Sequence, residues 1–175
     1  MRFAAAFAAA AIGAAPVAAL PTKTTNDASR GVRMFATLTE LQAKYARGII
    51  AQAKKERLGA QGCRAGIATA LVESTLIMHA NYAVPDSLVY DYDRLGYDRD
   101  SVGLFQQRAS IYTDIKCSMN AACSAHQFFT EMKGVPEWRY MDVGTLCQEV
   151  QRSENPEQYH EFIDQAVDIC KEGGF

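Results

Sequence analysis

Histidine is scarce in this chain. The three present, His79, His126 and His160, show no His-Glu-x-x-His arrangement, and no Cys-x-x-Cys pair accompanies them. A zinc centre therefore has no ligand spacing to rest on. A basic excess is also missing: 18 Lys and Arg face 20 Asp and Glu, for a net charge of −2. Without a basic stripe interleaved with aromatics, nucleic acid is not an expected partner. There is no Gly-x-Ser-x-Gly elbow and no glycine-rich phosphate loop, which removes the corresponding hydrolase and nucleotide-binding chemistries. The acidic stretch Asp91, Asp93, Asp98 and Asp100 superficially resembles a calcium loop. Its fifth and twelfth positions would be Leu95 and Val102, neither of which supplies the oxygen that such a loop requires. No metal and no cofactor is expected.

Long strongly apolar runs are absent too. Residues Phe3 to Ala15 carry no charge, but the run is alanine-rich, contains Gly13 and is followed by Pro16. That falls short of the roughly 20 apolar residues of a membrane span, so no membrane partner is expected. With Arg2 ahead of it and Val17-Ala18-Ala19 behind it, the stretch 1–19 reads as a secretory signal peptide. Residues 20–36, rich in Thr, Asn, Asp and Ser, read as a flexible leader. The remainder, 37–175, is one domain's worth of chain, and the expected form is a secreted, extracellular monomer.

Secretion makes disulfide pairing the expected fate of the five cysteines. Two bonds and one spare thiol can be drawn in fifteen ways. The expected pairs are Cys117 with Cys123, as a local clamp, and Cys147 with Cys170, tying the last two helices. Cys63 would then be a small buried hydrophobe at the start of a helix.

Most apolar runs have helical period. Thr37-Leu38-Thr39-Glu40 reads as a capping box opening a helix whose apolar face is Leu41, Tyr45, Ile49 and Ala53, stopped at Leu58-Gly59. A second helix is expected over Gly62 to Met78, apolar nearly all round and hence central. Residues His79 to Asp100 lack that period and read as a long loop or a small β-hairpin. Ala121, Ala122, Ala125, Phe128, Phe129 and Met132 form a core face. Asp142 and Asn155-Pro156 are candidate starts for two final helices. The expected class is all-α.

One acid, Glu73, interrupts the second helix, on a side shared with Gly66, Thr69, Ala70 and Ile77. A carboxyl among such neighbours is costly to ionise, and one kept protonated near neutrality suits a general acid. Asp98 and Asp100 are the candidates for a second catalytic carboxylate. Asp100 is also a natural cap for a turn starting near Ser101. Gly103 allows close backbone approach, and Leu104 and Phe105 are expected to alternate between core and cleft.

Ala70-Leu71-Val72-Glu73-Ser74, followed by Asp98-Arg99-Asp100-Ser101-Val102-Gly103-Leu104-Phe105-Gln106-Gln107-Arg108, resembles the lysozyme-like superfamily of goose-type lysozymes and lytic transglycosylases. The likeness runs over roughly 37 to 170 and is strongest to secreted peptidoglycan hydrolase domains. It implies a lysozyme-like fold, bacterial peptidoglycan glycan strands as substrate, and Glu73-Ser74 at the end of the helix bearing the catalytic acid. It also implies that the Gly103 to Gln106 segment crosses the cleft, with Gln106 binding substrate. Tyr82, Tyr97 and Tyr112 are candidates to stack on sugar faces, and Gln151 to line the far end of the cleft. The expected activity is muramidase cleavage of the β-1,4 bond between N-acetylmuramic acid and N-acetylglucosamine. The alternatives are a lytic transglycosylase on the same bond, a chitin- or chitosan-directed enzyme, and a glycan-binding protein without turnover. The net negative charge supplies no long-range attraction to an anionic wall.

Overall fold

The computed structural model describes residue 35 and residues 37–175; the signal peptide and most of the leader read from the sequence lie outside the described residues. Phe35, near the end of that leader, is 3% exposed and packs into the core. The architecture is mainly helical, with a few short strands.

Helix α1 (Glu40–Lys55) opens two residues later than the sequence suggests. Thr39 is the cap, its hydroxyl accepting from Gln42 N while the Gln42 side chain returns to Thr39 N. The box is thus Thr39-Gln42 rather than Thr37-Glu40, since either spacing satisfies the same motif. Helix α2 (Gly59–Ser74) is the hub, packing against α1, α4, α5 and α6. Gly66 makes this possible, because a Cβ there would stand 2.9 Å from the Phe129 ring and 3.0 Å from Ile49. Its end comes earlier than the expected Met78. Thr75 and Leu76 both turn left-handed, at φ 54°, and their amides close back on Leu71 and Ala70. Ile77 consequently leaves the face that the sequence assigned it with Glu73.

The segment after α2, for which a long loop or a small hairpin was expected, holds a parallel strand pair instead of a hairpin. β1 (His79–Asn81) pairs in parallel with β2 (Arg94–Gly96), with the 3₁₀ helix Pro85–Val89 between them. Strand pairs of parallel sense need such a connection. The antiparallel hairpin lies further on, joining β3 (Ser101–Val102) to β4 (Gln107–Arg108).

A short helix α3 (Ile115–Ser118), capped by Asp114, leads into α4 (Ala121–Gly134), which buries Ala125, Phe128, Phe129 and Met132. Asp142 caps α5 (Val143–Gln151) by accepting from Thr145 N at 2.9 Å. Asn155-Pro156 starts a 3₁₀ helix, Pro156–Phe162, and the α-helical part, α6 (Ile163–Glu172), follows it.

Two disulfides are present. Cys117–Cys123 is the expected clamp, whereas the long-range bond joins Cys63 to Cys170, leaving Cys147 free and buried. The expected Cys147–Cys170 pair fails because α5 and α6 each dock on α2. That docking puts the Cα atoms of Cys63 and Cys170 6.1 Å apart and turns Cys147 Sγ toward the Ala65 carbonyl of α2. Burial pushes the Cys147 thiol up to about 12, so it is no nucleophile at neutral pH.

Candidate functional site

Glu73 is the penultimate residue of α2 and half-buried. Burial raises its pKa above the usual carboxyl range. The last turn of a helix is also where the macrodipole disfavours an anion. Hydrogen bonding to Tyr159 and then Gln151 works in the opposite direction, and the charge of Asp98 pushes upward again. The carboxyl therefore stays protonated to higher pH than a free one, with burial the largest cause.

Tyr159 is not among the site residues expected from the sequence, where Asn155-Pro156 marks only the start of a helix. In the structure it is completely buried, and its hydroxyl donates to Glu73 Oε1 at 2.5 Å. Burial, followed by the Glu73 charge, raises the tyrosine's own pKa, so the phenol stays a donor. It rides on the 3₁₀ helix, whose other anchor is His160. That ring lies flat against Gly144, where a Cβ would come within 2.5 Å, and its Nε2 is 2.8 Å from Asp142 Oδ2.

Gln151, at the end of α5, donates from Nε2 to the Phe105 carbonyl at 3.0 Å. It thereby spans from the β3–β4 turn to Glu73. Ser74 is buried, with its single hydroxyl proton shared between Ala70 O at 3.0 Å and Leu104 O at 2.8 Å. Its place is that of a tether pulling the same turn onto α2, rather than an exposed contact for substrate.

Within that turn, Gly103 has φ 77°, and a Cβ on it would fall 2.2 Å from the Ser118 carbonyl. The close approach that glycine permits is to the protein's own backbone. Leu104 and Phe105 do not alternate between core and cleft: both are buried, and Phe105 stacks on Phe128 with centroids 5.0 Å apart. Gln106, at φ 47°, donates from Nε2 to Gly103 O at 2.9 Å. Its other end meets the His79 imidazole, whose pKa is lowered by burial first and by Arg94 second. The amide is thus half engaged, with one N–H and one lone pair to spare.

The two aspartates part company. Asp100 pairs with Arg108 and accepts from Ser110 N at 2.7 Å. Burial opposes its ionisation, but the Ser110 and Arg108 contacts prevail and bring it down to about 2. It fastens the hairpin, and it caps no turn at Ser101, whose amide bonds the Asp98 carbonyl instead. Asp98 is exposed and carries no ion pair among the described residues, and it is the aspartate whose charge is felt at Glu73.

Tyr82 and Tyr97 stand together, with ring centroids 5.9 Å apart. Tyr112 is half-buried, facing the charges of Glu131 and Arg152. Asp93 is committed to the Tyr45 hydroxyl at 2.6 Å and to Met78 N at 3.0 Å. Among the described residues, no three His, Cys, Asp or Glu side chains gather where they could hold a metal.

A hollow of about 390 Å³ lies between Tyr90, Lys116 and the Cys117–Cys123 bond, and one of about 300 Å³ between Tyr45, Gly48 and Met78. Neither is lined by Glu73, Asp98 or Tyr159. In comparison with known proteins, no family model and no curated protein matches the chain.

Proposed function

We propose that this chain is a secreted glycoside hydrolase with a lysozyme-like fold, a muramidase acting on bacterial peptidoglycan. The observation that carries the reading is Glu73: a half-buried carboxyl with a raised pKa at the end of the central helix, held by the buried Tyr159 hydroxyl. Glu73 protonates the glycosidic oxygen between N-acetylmuramic acid and N-acetylglucosamine as positive charge develops on the sugar ring. Tyr159 and Gln151 fix the direction of that carboxyl, which lowers the cost of reaching the reactive geometry. Asp98 is the carboxylate available to activate a water or to stabilise the developing charge, since Asp100 is bound up with Arg108.

That commitment of Asp100 also favours a second reading, lytic transglycosylation. With fewer free carboxylates to recruit water, the sugar's own 6-hydroxyl becomes the competing nucleophile. Products ending in a 1,6-anhydro ring identify that route, and reducing ends identify hydrolysis.

The test is turbidity loss of purified peptidoglycan from acidic to neutral pH, with wild type beside Glu73→Gln. An amide of the same shape cannot donate the proton, and the expected loss is on the order of 10²–10⁴-fold in a folded variant. Wild type that clears nothing at any pH while still sedimenting with the wall transfers the chain to the glycan-binding reading.

A further inference from the structure

Resting on that reading, we infer that Tyr82 and Tyr97 form a preorganised sugar-stacking platform, a subsite for a β-1,4-linked N-acetylhexosamine chain beside Asp98. The two rings come from turns that follow the parallel strands. Asn81 is in register with Gly96, so the next residue of each strand, Tyr82 and Tyr97, emerges at the same place. The rings sit 5.9 Å apart with planes tilted by 44°, a shallow V. They are 58% and 77% exposed, so the pairing leaves large aromatic faces to solvent. Isolated exposed aromatics are ordinary, but two held side by side are a surface with a use.

Both turns are rigid. Tyr82 stands at the corner of a turn closed twice on Asn81, by Val84 N to its carbonyl and by Ala83 N to its Oδ1, each at 2.9 Å. Asn81 Nδ2 in turn reaches the carbonyls of Asp98, Arg99 and Ser101 at 3.3, 3.1 and 3.1 Å. One buried side chain therefore fixes the Tyr82 turn to the segment that carries Tyr97 and Asp98. A platform already in place loses little freedom when a ligand arrives. The occupant follows from position and chemistry. Tyr97 adjoins Asp98 on one side and, on the other, Gly96, where an added Cβ would lie 3.9 Å from Gln106 Oε1, so the pair stands beside two residues of the proposed site. Flat faces that carry tyrosine hydroxyls suit the apolar C–H face of a pyranose and its polar edge.

The experiment measures binding of a β-1,4 N-acetylglucosamine hexamer by calorimetry, in a Glu73→Gln background so that turnover cannot intervene. The comparison set is Tyr82→Ala, Tyr97→Ala, the double variant, Tyr97→Phe and Tyr140→Ala. Tyr140 is a control, 85% exposed in a segment that Gln61 holds at the opposite end of α2 through the Met141 carbonyl. The platform requires the double variant to weaken binding by roughly tenfold or more, with Tyr97→Phe and Tyr140→Ala close to the parent. Parent-like binding in the double variant overturns it, as does a parent that fails to bind the hexamer. Tyrosine-dependent binding in a protein whose wild type releases no products upholds the platform and removes the hydrolase reading alone.

Discussion

At the scale of the residue, the chemistry turns on which groups set the pKa of Glu73. Burial raises it, Tyr159 and Gln151 lower it by stabilising the carboxylate, and Asp98 raises it by repulsion. A general acid works only while protonated, so the rate must fall as pH rises through this pKa. Tyr159→Phe removes a donor to the carboxylate and should move that falling limb to higher pH. Asp98→Asn removes a repelling charge and should move it to lower pH. Opposite displacements in pH–rate profiles of kcat/KM check both, and the two limbs moving together would contradict the assigned arrangement. The position of the acid was legible in the sequence because a single glutamate stood in an apolar helix. Its controllers were not, since Tyr159 lies 86 residues further on and meets it only through the docking of the 3₁₀ helix on α2.

At the scale of the element, the β3–β4 turn is the part most dependent on backbone conformation. Gly103→Ala would drive a Cβ to 2.2 Å from the Ser118 carbonyl at φ 77°. The neighbour is backbone and cannot swing away, so the expected loss is about 2–4 kcal/mol. Gly134→Ala, at the end of α4 where nothing lies within 4 Å, should be neutral or stabilise by up to ~1 kcal/mol. Urea midpoints of the two variants measure the contrast. The helices α1, α2, α4 and α5 were readable because their apolar periods and caps are local properties. What the pattern missed were ends and pairings. The left-handed Thr75 and Leu76 carry no glycine signal, and a parallel pair such as β1–β2 unites residues fifteen apart, so no local turn motif announces it. The Gly103 segment was recognised as a motif, but its glycine, Leu104 and Phe105 turned out to serve packing, which a motif alone does not distinguish from contact with a ligand.

At the scale of the whole molecule, α2 is held to the C-terminal helix by Cys63–Cys170, a bond spanning 107 residues, whereas Cys117–Cys123 spans 6. In the chain-entropy account, the long loop restricts the unfolded state far more, by about 5 kcal/mol against about 2 kcal/mol for the short one. Replacing Cys63 and Cys170 together by serine should therefore lower the urea midpoint much further than replacing Cys117 and Cys123. Since whole domains of this size hold only about 5–15 kcal/mol, the first variant sits near the edge of folding. The same pairing makes a chemical prediction that does not depend on stability. Alkylation of the native, unreduced protein should be slow, because the one free thiol is buried and its burial holds it protonated to about 12. After unfolding without reductant, a single label should appear, and peptide mapping should find it on Cys147. A label on Cys63 would instead restore the Cys147–Cys170 pairing that the sequence suggested and would detach α6 from its covalent hold on α2. Because Tyr159 reaches Glu73 from the segment that leads into α6, the location of that label also bears on how firmly the candidate acid is held.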